Sequence, residues 1–377
     1  MKLFKNINLE IFRRKSSQRY IPEIDALRFF AILPVMLVHF SGALLAHNIL
    51  FDRDLIDEEN VLRQILIHGN SGVHLFFAIS GFILTIPFIQ KPRKQLKFKK
   101  YFQRRLIRIE PPYIIALTIF FIVHIILNEQ NFVFLFERYI ASFFYLNGFI
   151  FQEIPYILPV AWSLEIEIQF YLLMPLFLII LKIIDSEYWR YFIYFILLIC
   201  SLNIDFFPGD DLNDFMIYFL AGIISADLYK NKKITASYFW DIIFVVSLIT
   251  FFSIGSSLLR FVFLFFIIKS SLNLIFLKKI ISNNVLTIIG GMCYTLYLLH
   301  YPLYHLLMKI FTNKLTFFTS FEMNVLFQGI IFVPISILMM AVYFILVEKP
   351  FMILSQKIGK TRNSQIKNSN LNLSNTK

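Results

Sequence analysis

The chain has 377 residues, 58% of them hydrophobic and only 16% charged, with 46 phenylalanines and a mean hydropathy of +0.69. A soluble domain of that length could not hide so much apolar surface, so its solvent is largely lipid. The formal net charge of +12 follows from membrane topology and attraction to anionic lipid, and does not point to nucleic acid.

Residues 1–24 are basic and form a cytoplasmic segment. The apolar run behind them has full span length and is followed by more spans, so they do not read as a cleavable signal. Windows approaching the ~20 apolar residues needed to cross a bilayer follow at 25–47, 66–90, 109–127, 162–181 and 189–204. Five more lie at 214–229, 239–254, 257–276, 286–308 and 325–347. The stretch 132–150 carries Glu137 and Arg138 near its middle and is expected to be interfacial or re-entrant. Residues 351–377 form a cytoplasmic tail, Asn/Ser/Lys-rich towards its end and of disordered composition. The expectation is an all-α polytopic transmembrane helical bundle of about ten spans, with a membrane domain over 25–350 and both termini cytoplasmic.

Charge supports that topology. The inside segments hold 29 of the 36 Lys and Arg, as the positive-inside rule asks. The outside loop 48–64 is acidic instead, with Asp52, Asp54, Asp57, Glu58 and Glu59. If 132–150 crossed, every later loop would flip and the asymmetry would weaken. Cys200 and Cys293 both sit in apolar stretches, so neither a disulfide framework nor a metal cluster is expected. No internal repeat of the transporter kind is evident.

Ionisable groups inside spans are expensive and mark function. Span one, YIPEIDALRFFAILPVMLVHF, carries Arg28 near its cytoplasmic end and His39 eleven residues on, or ~16 Å along a helix. Arg28 has a bland alternative as a snorkelling side chain, whereas His39 is too deep for that. Pro34 between them is expected to kink the helix. Span four opens AWSLEIEIQFYLLMPL, with Glu165 and Glu167 pointing about 200° apart. Only one of them can face a common site, and the helix N-terminus accounts for one carboxylate. Span nine, GGMCYTLYLLHYPLYHLLM, contains His300. Counted along their helices, His39, Glu167 and His300 reach a similar depth in the outer half, which points to one polar cavity. An imidazole beside a carboxylate is suited to taking a proton from a hydroxyl.

On the inner side, KPRKQLKFKKYFQRRLIRIEPPYI places Arg104, Arg105 and Arg108 on adjoining helix faces. Guanidinium forks suit phosphate, and lipid headgroups are the bland alternative. The segment GNSGVHLFFAISGFILT supplies Gly69, Gly72, Gly81, Ser71 and Ser80, small residues that let helices approach closely. His47, His68, His124 and His305 lie near outer ends and receive no role.

These segments, in this order, resemble the membrane-bound acyltransferase family 3, whose members O-acylate cell-surface polysaccharides and related acceptors. The matches are IDALR…H at 24–39, GVHLFFAISGF at 72–82, RRLIRIEPPY at 104–113, WSLEIEIQFYLL at 162–173, YTLYLLHYPL at 294–303 and EKPF at 348–351. Departures are His74 where aspartate is common, Ala26 for a usual glycine and Glu110 for a usual aromatic. Glu167, not Glu165, stands at the family's glutamate position. The form expected is the membrane domain without the extracytoplasmic SGNH-type hydrolase domain that many relatives carry.

The resemblance implies an integral enzyme of the inner (cytoplasmic) membrane moving an acyl group, most commonly acetyl, from cytoplasmic acyl-CoA to a glycan hydroxyl outside. Arg104, Arg105 and Arg108 would hold the nucleotide phosphates, and Arg28 a phosphate or the pantetheine entrance. His39 would be general base, or nucleophile through an acyl-histidine, with Glu167 orienting it and His300 as third member. No metal is called for. One passage through the bundle should connect the arginines to His39. The rival reading, on a polar cavity alone, is a transporter or flippase of a lipid-linked glycan.

Overall fold

The computed structural model describes residues 12, 20–89, 98–127, 130–184, 186–203, 212–230 and 235–358, and every regular element among them is helical. In chain order these are α1 (Pro22–His47), α2 (Arg53–Glu59), α3 (Val61–Ile67), α4 (Gly72–Ile89), α5 (Phe98–Ile126), α6 (Phe132–Phe143), α7 (Asn147–Phe151), α8 (Trp162–Ile183) and α9 (Glu187–Asn203). There follow α10 (Leu212–Lys230), α11 (Tyr238–Ser253), α12 (Ser257–Ser271), α13 (Lys278–Ile281), α14 (Asn284–Gly291), α15 (Cys293–Phe311), α16 (Phe321–Tyr343) and α17 (Lys349–Lys357).

Five helical stretches are long and apolar enough to cross a membrane: Pro22–His47, Val61–Pro87, Phe98–Ile126, Pro159–Phe177 and Phe321–Lys357. The pair α14 and α15, bent by 69° at the break around Met292, makes a sixth if counted as one span. This makes the protein an integral membrane protein, with fewer full-length crossings than the ten expected. The shortfall has a physical cause: α9, α11 and α12 have 17, 16 and 15 residues, and at ~1.5 Å per residue they fall short of a ~30 Å hydrocarbon core. Helix α10 is longer but carries Asp214 and Asp227. The stretch 132–150 forms the 12-residue α6 and the short α7, too short to cross in either part. Most of residues 1–24 and all of 359–377 lie outside the described residues, and the segment expected to start the tail at 351 is helical to Lys357.

Helix α1 is the axis of the bundle. Pro22 opens it, with Glu23 and Asp25 in its first turn facing the positive end of the helix dipole. It runs unbroken through Pro34 and packs against α4, α14 and α15. Where it passes the 3₁₀ turn His68–Ser71, a Cβ on Gly69 would come 2.5 Å from the Pro34 carbonyl oxygen. Only glycine admits that approach. Helix α10 lies along α4 just as closely: a Cβ on Gly222 would come 1.9 Å from the Ala78 carbonyl oxygen. Backbone proximity of this kind replaces the hydrophobic drive that lipid withholds from helix pairs.

Helix α16 does not stop at the expected boundary near 347. It passes through a π turn, Phe344–Glu348, into α17, which packs against α5. Glu348 is fully buried and accepts hydrogen bonds at Oε2 from Thr295 N (3.2 Å) and Thr295 Oγ1 (2.6 Å), so the last span caps the first turn of α15.

Gly222→Ala is expected to push α4 and α10 apart and cost about 2 kcal/mol or more, read as a lower unfolding temperature of the detergent-purified protein. Gly255→Ala, where a Cβ meets nothing within 4 Å, should leave that temperature unchanged.

Candidate active site

A cavity of about 840 Å³, its open mouth included, lies between α1, α4, α5, α8 and α15. Arg28, Arg105 and Arg108 line it, as do Ser80, Glu167, Tyr171, Cys293 and Tyr297, with Phe76, Phe77 and Ile109 among its apolar lining. The arginines reach it from two helices because α5 starts eleven residues before the apolar window, carrying the basic cluster inside the bundle on one continuous helix. Arg105 stacks on Tyr171, its Cζ 5.2 Å from the ring centroid. Arg28 is buried and forms an ion pair with Asp25, one turn earlier on α1. Arg104 turns elsewhere: Nε and Nη2 donate to the Ile358 carbonyl at 3.0 and 2.8 Å, tying the end of α17 to α5. It is thus a fastening of the fold and not part of the cavity lining.

The two glutamates of α8 separate as their spacing requires. Glu165 is buried and serves the α6–α7 turn. Its Oε1 accepts from Asn147 N (3.2 Å) and Nδ2 (3.4 Å), and its Oε2 from Gly148 N (2.9 Å). Glu167, one residue beyond the next, faces the cavity. Its Oε1 accepts from Ser80 Oγ at 2.6 Å and from the Tyr171 hydroxyl. Two neutral donors on one oxygen hold the carboxylate against the cavity wall.

The two histidines meet. His39 Nδ1 and His300 Nε2 are 2.8 Å apart, with the rings at 5.0 Å between centroids. His300 is fully buried, and His39 partly. Tautomers follow from the partners. His300 Nδ1 lies 2.7 Å from the Tyr297 carbonyl and 2.9 Å from that of Leu296. Carbonyls only accept, so His300 Nδ1 carries a hydrogen. In a neutral ring its Nε2 is then the acceptor, and His39 Nδ1 must be the donor. The lone pair of His39 is thereby placed on Nε2. A chain of two hydrogen bonds, anchored on backbone, leaves one imidazole nitrogen basic and oriented.

His39 and His300 do not line the arginine cavity. Tyr297 stands between: it lines the cavity, receives a hydrogen bond from Ser163 Oγ (2.8 Å), touches Phe76 (5.8 Å between centroids) and lies 5.7 Å from the His300 ring. The single passage expected from Arg28 to His39 is not one cavity here: the space that Arg28 lines ends at a wall that includes Tyr297 and neither histidine. Of the three groups expected at one level, two are in contact and the third, Glu167, belongs to the cavity on the near side of Tyr297. Ser80, Tyr171 and Tyr297 were not singled out from the sequence for chemistry. Tyr171, four residues from Glu167 on the same helix face, was the available signal. His74 stacks on Tyr218 at 4.2 Å and stays out of the cavity lining. Among the described residues no group of three His, Cys, Asp or Glu is arranged for a metal ion.

The bundle is that of an integral membrane protein with a polar cavity among its helices. A family model described as an acyltransferase domain (Acyl_transf_3) matches residues 21–347, and the chain belongs to that family. It is similar to "Putative O-acetyltransferase SACOL0978" of Staphylococcus aureus (strain COL), with 28% identity over 337 residues, 77% of this chain and 52% of the relative. It is likewise similar to "O-acetyltransferase OatA" of Staphylococcus aureus (strain NCTC 8325 / PS 47), 28% identical over 336 residues, 76% of this chain and 51% of that one. The chain spans about half the length of the curated relatives it matches. No solved structure matches it.

Glu165→Ala is expected to cost about 3 kcal/mol, since it orphans buried donors of the α6–α7 turn, and to open that turn to protease. Ser80→Ala, which removes one donor from a partly exposed carboxylate, should cost under about 1 kcal/mol. Unfolding curves and limited proteolysis of the purified protein check both.

Proposed function

We propose that the protein is an O-acyltransferase that takes an acyl group, most commonly acetyl, from acyl-CoA on the cytoplasmic side and places it on a glycan hydroxyl on the outer side. The observation that carries this reading is the His39–His300 pair, whose hydrogen bonds leave His39 Nε2 as a base next to an arginine-lined cavity. Family membership favours it over transport of a lipid-linked glycan, which would have no use for a base fixed in this way.

On this reading Arg105 and Arg108 hold the donor's phosphates, with Arg28 beside them at the entrance. An extended pantetheine arm is of the order of the Arg28–His39 separation, ~16 Å along α1. The thioester reaches His39 when the Tyr297 ring turns away from Phe76. His39 Nε2 then takes the proton of the acceptor hydroxyl, and that oxygen attacks the thioester carbonyl. As the carbon–sulfur bond breaks, the proton passes from His39 to the leaving thiolate, so ester and free thiol form and the base is restored. His300 keeps the tautomer and stabilises the transient imidazolium, the part a hydrogen-bonded orienting group plays in other acyl transferases. Glu167, set between Ser80 and Tyr171, fixes the donor chain in the cavity. The basic inner segments support about ten crossings with both termini cytoplasmic in the inner membrane, the shorter helices crossing where the bilayer thins locally.

Purified protein given labelled acetyl-CoA and a panel of polysaccharides is expected to move label onto acceptor hydroxyls. His39→Ala should abolish this while the protein still inserts and purifies normally, and near-normal turnover in that variant would remove His39 from the site. Arg105→Ala combined with Arg108→Ala should raise the KM for acetyl-CoA by about tenfold or more, with Arg104→Ala changing it little. An unchanged KM in the double variant would return those arginines to lipid contact.

A further inference from the structure

The loop before α4 reads as a solvated, acidic surface segment, FDRDLIDEENVLRQILI. One of its residues is not at the surface. Asn60 caps α3, its side chain accepting from Arg63 N at 3.0 Å, and this turns the Arg63 side chain inward, where only 7% of it is exposed. The guanidinium meets α1 one residue before His39. Nη1 donates to the Val38 carbonyl at 3.1 Å and to Ser41 Oγ at 2.7 Å, while Ser41 Oγ donates to the same carbonyl at 2.9 Å. Nε donates to Asp57 Oδ1 at 2.6 Å, which balances the charge. The guanidinium lies over Gly42 of α1, where a Cβ would be in ordinary contact, 3.7 Å from Arg63 Nη2.

Holding a loop to a helix does not require a buried cation, because packed apolar side chains do so without the desolvation cost. What the cation supplies is direction. A planar fork with two contacts on one turn of α1 fixes both the height and the rotation of that turn. The imidazole of His39 projects from that turn, and its bond to His300 tolerates little displacement. The same guanidinium lies within electrostatic reach of the His39 ring. Its role is not covered by the motif residues of the cavity, and Arg63 lines no part of it.

We propose that Arg63 is a positioning residue for His39, clamping the Val38–Ser41 turn of α1 so that the imidazole stays in line with His300. This rests on His39 acting as the base. It is tested on the full-length protein with labelled acetyl-CoA and a polysaccharide acceptor, comparing Arg63→Gln, Arg63→Lys, Arg63→Ala, Ser41→Ala and His39→Ala. Arg63→Gln should lower kcat about tenfold or more, the usual result of a small misplacement of a catalytic group, with the KM for acetyl-CoA within about twofold. Arg63→Lys should recover part of the loss, and added guanidinium should restore turnover to Arg63→Ala but not to His39→Ala. If Arg63→Gln does not fold, Ser41→Ala decides, with a smaller fall in kcat on an intact fold. Wild-type kcat in Arg63→Gln or Ser41→Ala, or a loss confined to the KM for acetyl-CoA, overturns the positioning role. An inactive His39→Ala beside a fully active Arg63→Gln sinks this inference alone, whereas an active His39→Ala sinks the base assignment and this inference with it.

Discussion

The chemistry proposed for this bundle depends on one contact, the 2.8 Å hydrogen bond between the imidazoles of His39 and His300. Two neutral imidazoles can share a bond only if their tautomers agree, and water would normally be free to scramble them. Here the choice is made by backbone: the Tyr297 and Leu296 carbonyls take the hydrogen of His300 Nδ1, and the agreement propagates to His39. A carboxylate in that place would orient the ring as well, but it would put a charge at the centre of an apolar bundle. Carbonyls of a helix cost nothing extra, since they are already there. The contact also requires α1 and α15 to keep one relative height, which is why the features that fix α1 matter beyond packing. Those features are Gly69 against Pro34, Arg63 against Val38 and Glu348 capping α15.

The depth at which a group sits on a helix can be counted from sequence, but the direction in which it points around the bundle cannot. That difference explains most of what was and was not legible. His39 and His300 were expected at one level, and the structure brings them into contact. Glu167 was expected with them on the same count, yet it faces another wall, bonded to Ser80 and Tyr171. Within a single helix, direction is legible: the i, i+2 spacing separated Glu165 from Glu167, and they divide between a turn and the cavity accordingly. The same reasoning applied to Arg104, Arg105 and Arg108 left their faces adjoining, and the helix that takes Arg104 away, α17, lay beyond the span boundary expected near 347. Arg63 escaped notice because its neighbours are acidic and polar, and nothing local distinguishes a loop arginine that folds inward from one that stays in water.

Span counting fared differently. Apolar windows found a helix at each of the ten positions, because in lipid an apolar segment has no alternative way to satisfy its backbone. Window length did not give helix length. α5 extends eleven residues before its window, and α16 continues through a π turn into α17, whereas α12 stops five residues short. Ends are set by tertiary bonds such as Arg104 to Ile358, which hydropathy does not register.

The placement of Tyr297 bears on a difficulty that any thioester-using site must meet, the competing reaction with water. On the proposed reading the cavity admits a large anionic donor, and a space open to that donor is open to water as well. A base poised in that same space would activate water as readily as an acceptor hydroxyl. In the structure the arginines, Glu167 and Tyr297 share the cavity, while His300 is wholly buried behind it, 5.7 Å from the Tyr297 ring that Ser163 holds by its hydroxyl. On the proposed reading, a donor chain that displaced that ring would use its own binding to complete the site. That reading also accounts for why the passage expected from charge and depth is not one cavity here. Tyr297 lies on the very turn whose carbonyl sets the tautomer of His300, so on that reading admitting the donor and preparing the base would involve the same residue.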